Sequence, residues 1–459
     1  MLRIEELVLY RDRDGGVLDS LAKLQRQVRR KESVSWKEYA LSKGQMRAEE
    51  LSGPDEASAG AQCIRTYCRL MQEMIDTAQN YGFSGNVWHS WLTYYLVYHE
   101  NAYSRAHEIR ENIPGGINPI AVHDFEIFRE LFAYDFGDIE QYLGVSLYEM
   151  AADYEFGGDD RRLASRRIRD RIEELSRRLS ASESTQEFKE HADEFYRDFG
   201  CGKFGLHHAF RVIHDSADAM EIVPITNIAH VRLDDLIGCE IQKKKLRENT
   251  EALLAGRRAN NCLLFGDAGT GKSTAIKGIL NEYYEQGLRI IEVSKHQFRD
   301  LVDILAQIKN RNYRFIIYMD DLSFEDFETD YKYLKAVIEG GLEKKPENVL
   351  IYATSNRRHL IRENYEDKES DIRSDMHTSD TVQEKLSLSY RFGVTIYFGA
   401  PTKKEFQMIL KGIARQERLE MDEQELYEKA NTWELSHGGR SGRCARQFID
   451  HILGTSYAD

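Results

Sequence analysis

Along residues 1–225 apolar side chains recur at helical spacing, and the periods are broken by turn clusters at Leu51-Ser52-Gly53-Pro54, Ile113-Pro114-Gly115-Gly116 and Phe156-Gly157-Gly158-Asp159. This pattern predicts an all-helical amino-terminal domain. Its most apolar stretch, Val87–Tyr98, is interrupted by His89 and Thr93 and is shorter than the roughly 20 residues that cross a bilayer, so it reads as a core helix. After Pro224 short β-like runs alternate with helical ones. Candidate strands lie at 262–265, 288–293, 315–319, 349–353 and 394–398, and such alternation predicts an α/β domain over 226–400 with a parallel five-stranded sheet flanked by helices. Beyond Pro401 the strand pattern stops. Thr402 and Glu405 are spaced as a capping box, and Phe406, Ile409, Leu410 and Ile413, then Phe448, Ile449 and Ile452, keep helical periods; a C-terminal helical lid is expected over 401–459.

Composition changes this picture little. A chain of 459 residues exceeds what one core usually holds, in agreement with several domains. The net charge is −14 and most of it falls in the amino-terminal half, which disfavours binding to a phosphate backbone. Leu163, Ile168, Ile172, Leu175 and Leu179 lie beneath Arg161, Arg162, Arg166, Arg167, Arg169 and Arg171, a pattern open to two readings. One is a nucleic-acid patch; the other, favoured because Asp159, Asp160, Asp170, Glu173 and Glu174 are interleaved, is a solvated helix face. The six cysteines show no Cys-x-x-Cys spacing, so free thiols in a reducing compartment are expected and a zinc site is not. The start Met1-Leu2-Arg3-Ile4-Glu5-Glu6 lacks the order of a secretory signal, and a cytoplasmic protein with no membrane span follows as an expectation.

The candidate chemistry lies in the second half. Leu263-Leu264-Phe265 runs into Gly266-Asp267-Ala268-Gly269-Thr270-Gly271-Lys272-Ser273, and Thr274-Ala275-Ile276-Lys277 continues as a helix. This is the strand, loop and helix of a P-loop. Its glycines let backbone N–H groups face phosphate oxygens, Lys272 reaches the β and γ phosphates, and the Ser273 hydroxyl ligates Mg²⁺. The apolar run Phe315-Ile316-Ile317-Tyr318-Met319 then delivers Asp320, suited to the Mg²⁺ shell, and Asp321, suited to orient or deprotonate the attacking water, with Glu325 as a rival base. Two lookalikes are set aside. Gly200-Cys201-Gly202-Lys203-Phe204-Gly205 has no strand before it, and His99-Glu100-Asn101-Ala102-Tyr103 ends in tyrosine where a zinc-protease helix needs histidine.

With both phosphate elements placed, residues 231–459 resemble the AAA+ ATPases, and within them a bacterial family still described as of unknown function. The segment Val231-Arg232-Leu233-Asp234-Asp235-Leu236-Ile237-Gly238 is similar to the stretch that packs on adenine, which implies nucleotide contacts from Leu236, Ile237 and Gly238. Ala353-Thr354-Ser355-Asn356 resembles a sensor-1 strand end, in which Asn356 positions the lytic water. Tyr390-Arg391-Phe392-Gly393, with 384–389 before it, is similar to the arginine-finger segment; Arg391 would reach the γ-phosphate of a neighbouring subunit, and the resemblance thereby implies a homo-oligomer. Arg440-Ser441-Gly442-Arg443-Cys444-Ala445-Arg446 resembles the sensor-2 helix, with Arg443 ahead of Arg446 as the phosphate contact. Departures exist. Asp321 stands where many relatives have glutamate, which predicts slow hydrolysis, and Tyr390 stands where an aspartate is expected. No aromatic-apolar-glycine pore loop follows the second strand near Ser294-Lys295-His296-Gln297-Phe298, so threading of a polypeptide is disfavoured. Residues 363–380, rich in charge and poor in apolar periodicity, are expected to form a mobile insertion. The resemblance thus implies an ATP- and Mg²⁺-dependent switch or remodeller whose amino-terminal helices choose an unidentified macromolecular partner. Alternatives are an ATP-binding scaffold with little turnover and a DNA-directed loader; a GTPase is disfavoured, since no Asn-Lys-x-Asp follows.

Overall fold

A computed structural model describes residues 2–32, 54–109, 115–158, 166–324, 330–339, 346–358, 360 and 388–456. The chain divides into two compact units, Met1–Leu206 and His207–Asp459. In the first the described elements are helical: α1 (Val17–Glu32), α2 (Pro54–Tyr81), α3 (Val87–Tyr98), α4 (Ala102–His107), α5 (Ile117–Phe132), α6 (Gly137–Leu143), α7 (Tyr148–Ala152), α8 (Arg166–Ser180), α9 (Thr185–Phe199) and α10 (Gly202–Leu206). They enclose an aromatic core in which Tyr10, Trp88, Phe125, Phe128 and Tyr196 are buried. The Asp124 carboxylate, fully buried, accepts hydrogen bonds from the backbone N–H groups of Val8, Leu9 and Tyr10 at 2.7–3.1 Å, and so fastens the amino-terminal segment to α5.

Helix α8 buries Ile168, Ile172, Leu175 and Leu179 on one face, while Arg169 pairs with Asp170, Arg177 with Glu174 and Arg178 with Glu194. These ion pairs accord with a solvated, charge-balanced face; Asp159–Leu163 lie outside the described residues. The two lookalike motifs serve as helix boundaries. Gly200, at φ +82°, ends α9, and the Asn101 side chain accepts from the N–H groups of Tyr103 and Ser104 to start α4.

The second unit holds one sheet of β1 (Ala209–His214), β2 (Met220–Pro224), β3 (Cys262–Gly266), β4 (Leu288–Glu292), β5 (Arg314–Met319), β6 (Val349–Ser355) and β7 (Val394–Phe398), in the order β2-β1-β4-β5-β6-β3-β7. Every pairing is parallel except β1 with β2. The expectation of five strands is corrected to seven, and residues 209–224, read above as helical, form an antiparallel hairpin on the sheet edge. The unit boundary accordingly falls at 206/207 and not at 225/226. The hairpin turn is held by Asp215, whose carboxylate accepts from the N–H groups of Ala217 and Ala219. The five expected strands all form, and each parallel return passes through helical structure, including α11 (Glu240–Leu254), α12 (Lys272–Tyr283), α13 (Leu301–Ile308) and α14 (Tyr331–Glu339). Finally α15 (Lys403–Gln416), α16 (Glu423–Ser436) and α17 (Gly442–Ser456) build a small cluster of their own around Phe406, Leu410, Leu426, Phe448 and Ile449.

Candidate nucleotide site

The strand order sets β3 between β6 and β7, with β5 beyond β6. Because these strands run parallel, their carboxyl ends lie along one edge, and the loops after β3, β5 and β6 meet there. The loop after β3 needs glycine for steric reasons. Gly266 has φ +136°, and a Cβ on it would lie 2.0 Å from the Phe398 carbonyl oxygen; at Gly271, φ +100°, a Cβ would lie 2.5 Å from Leu236 Cδ1. Around this turn Asp267 donates its N–H to the Phe398 carbonyl at 3.0 Å, its carboxylate accepts from Ala400 N–H at 2.8 Å, and Thr270 donates to the Asp267 carbonyl at 2.8 Å. Ala268 completes the loop, and Thr274 lies in the first turn of α12.

Lys272 is buried at the base of the loop. Its ammonium donates to the carbonyls of Gly266 (2.9 Å) and Asp267 (2.7 Å) and to Asn356 Oδ1 (3.1 Å). Burial pulls its pKa below the ordinary lysine value, against the opposing pull of Asp321, Asp267 and Asp320. Ser273 donates to Asp320 Oδ1 at 2.8 Å, and Thr354 donates to the same oxygen at 2.5 Å. Burial alone raises the Asp320 carboxyl, but hydrogen bonds, that from Thr354 foremost, outweigh it and hold the group below its usual value. Asp321 follows at φ +49°, a left-handed backbone that aspartate tolerates better than most residues. Its N–H donates to Thr354 Oγ1 at 2.9 Å and its carboxylate accepts from Asn356 Nδ2 at 2.8 Å. One asparagine amide therefore joins the lysine of the first loop to the second aspartate of the other.

The lid touches this edge. Arg443 donates its backbone N–H to the Gly269 carbonyl at 3.1 Å, and its charge lowers the Lys272 pKa further. Arg446 instead pairs with Glu417 inside the lid. Leu236 leans on the P-loop at Gly271, Ile237 meets the lid where a Cβ on Gly412 would lie 1.7 Å from its Cδ1, and Gly238 turns the chain at φ +76°. Arg391 takes part in none of these contacts; its Nε donates to Glu339 Oε1 at 2.6 Å. Glu325, His359, 363–380 and 384–387 lie outside the described residues. Thr354, 1% exposed in β6, is not singled out by the sequence, since Tyr352 and Ser355 of the same strand also carry hydroxyls and are equally buried.

The groups present fit a magnesium nucleotide. The Ser273 hydroxyl and Asp320 carboxylate are adjacent hard oxygen donors, and the buried Lys272 ammonium lies at the base of the same loop. Among the described residues no group of three or more His, Cys, Asp or Glu is placed to hold a metal by itself.

Solved structures similar to this chain include the RuvB Holliday junction branch migration motor of Thermotoga maritima, at 18% identity over 48% of this chain and 71% of that one with a TM-score of 0.31, and a point mutant of it at 18% identity and a TM-score of 0.32. No curated protein matches. The strand arrangement, the loop after β3, the acids after β5 and the helical lid together make the second unit an α/β core of P-loop type followed by a small helical cluster. The family described as "Protein of unknown function (DUF815)" matches residues 206–456, more than half of the chain, and the chain belongs to that family.

Proposed function

We propose that the protein is an ATP-binding AAA+ ATPase that acts as a nucleotide-driven switch or remodeller on a macromolecular partner. The observation that carries this reading is the convergence of Lys272, Ser273, Asp320, Asp321 and Asn356 on one edge of the sheet, where Lys272 bonds Asn356, Asn356 bonds Asp321 and Ser273 bonds Asp320. Lys272 exchanges the loop carbonyls it now caps for the β and γ phosphate oxygens. Ser273 and Asp320 hold Mg²⁺, which supplies charge neutralisation at the phosphates. Asp321 accepts the proton of the attacking water, and Asn356 aligns that water with the γ-phosphate. Leu236, Ile237 and Gly238 border the base; Arg443 senses the phosphates from the lid, and Arg391 completes the site of an adjoining copy in a homo-oligomer. The helices of the first unit supply the partner surface, and the compartment is the cytoplasm; among the described residues no helix is long and apolar enough to cross a membrane.

A second reading, a scaffold that holds ATP with little turnover, is supported by the short Asp321 carboxylate and its hydrogen bond to Asn356. A DNA-directed loader draws no support from α8, whose arginines are largely answered by carboxylates. Isothermal titration calorimetry with Mg·ATP tests the primary reading. Wild-type protein binds stoichiometrically and Lys272→Ala does not; a wild type without affinity for Mg·ATP would end the proposal.

A further inference from the structure

Tyr318 stands two residues before Asp320. Side chains alternate along a strand, so the two project from the same face of β5, the face on which Ile276 and Ile279 of α12 pack. The tyrosine is 6% exposed, and among the described residues its hydroxyl has no hydrogen-bond partner. In register Tyr318 stands opposite Tyr352, two residues before Thr354, and Thr354 and Ser273 both donate to Asp320 Oδ1, so the tyrosine borders the two candidate magnesium donors and the residue that braces them. Phenylalanine would fill the same apolar space without burying an unpaired hydroxyl, a situation native proteins rarely leave unanswered.

We propose that Tyr318 is a positioning residue for the divalent cation of the Ser273–Asp320 site, its hydroxyl donating to Asp320 and to the water shell of the cation once nucleotide is bound. The inference rests on the nucleotide reading above. In the ligand-free arrangement Asp320 Oδ1 already receives hydrogen bonds from Ser273 and Thr354. When Ser273 turns its oxygen to a cation it gives up that bond, and Asp320 regains an accepting lone pair beside a phenol that has a proton to donate. Outer partners of this kind orient metal ligands and set metal affinity.

Tyr318→Phe separates this role from packing, because it removes one oxygen and keeps the ring. The ligand-free variant is expected to unfold at the same temperature as wild type or higher. Its ATP affinity in EDTA stays the same, while the Mg²⁺ concentration needed for tight ATP binding, read by calorimetry, rises about 10- to 100-fold. An unchanged Mg²⁺ requirement overturns the proposal, and so does a ligand-free variant that unfolds early or fails to fold, since the hydroxyl then serves the fold. If wild-type protein binds ATP with no response to Mg²⁺, the nucleotide-site reading itself is at fault, an outcome told apart by the wild-type titration alone.

Discussion

At the scale of single residues the site depends on which atom receives each proton. Asp320 is held below the usual carboxylate range against its own burial by hydroxyl donors, of which Thr354 is the first. A carboxyl whose folded pKa is depressed adds stability that is present above the unfolded value and is lost as pH falls through the folded one. Thr354→Val, nearly isosteric, removes that donor and should destabilise the protein by about 1 kcal/mol at neutral pH. The deficit should shrink in acid as Asp320 takes up a proton, and urea unfolding at a series of pH values checks it. Asp321 offers a second test. Asparagine also tolerates left-handed backbone, so Asp321→Asn keeps the turn at φ +49° while losing the group that accepts a proton. Turnover should fall by about 10²-fold or more with ATP binding retained, measured by phosphate release and calorimetry on the same preparation. Lys272, Ser273 and Asp320 are legible in the sequence because a P-loop needs those residue types at fixed spacing. Thr354 is not, because it acts through Asp320, distant in the chain and close only after β5 and β6 pair in register; Tyr318 is near Asp320 in the chain, but nothing in its residue type separates it from the apolar positions of the same strand.

At the scale of elements the question is how the lid meets the sheet edge. Ile237 lies against α15 at Gly412, so closely that a Cβ there would lie 1.7 Å from its tip, and Arg443 at the head of α17 is tied by its N–H to Gly269. Gly412→Val should therefore displace α15 from Ile237. Overpacking of this kind costs about 1–3 kcal/mol, and because the contact spans core and lid, the expected result is weaker ATP binding, about tenfold, with the P-loop intact; calorimetry reads the first and the far-ultraviolet spectrum the second. Helix and strand identities in this unit follow from periodicity, and the five core strands lie where alternation puts them. The β1–β2 hairpin is not legible because Ala209–His214 and Met220–Pro224 are short and carry Arg211, His214 and Glu221, and because β2, the edge strand, has a single neighbour to reward strand formation. Capping chemistry was easier to read. Thr402 and Glu405 exchange hydrogen bonds at the start of α15 as their spacing implies.

For the whole molecule, the proposed oligomer leads to a test of its own. Arg391 is joined to Glu339 of its own chain, and an exposed ion pair is worth little, so exchange for a γ-phosphate of an adjoining copy is inexpensive. Arg391→Ala should leave ATP affinity unchanged and lower turnover by roughly 10³-fold or more, and wild-type specific activity should rise with protein concentration. Equal activity of dilute and concentrated wild type, or a fully active variant, would remove the shared site. Sequence by itself determined the helical first unit, the α/β second unit, the helical segment that closes the chain and the loop proposed to bind phosphate, because periodicity and spacing are local properties of the chain. Tertiary structure alone decided that the sheet has seven strands, that residues 207–225 join the second unit, that Arg443 and not Arg446 lies at the P-loop, and that Thr354 and Tyr318 surround Asp320. Those outcomes depend on which strands become neighbours and which side chains then share a few ångströms, and no local pattern encodes a contact between residues that lie far apart in the chain.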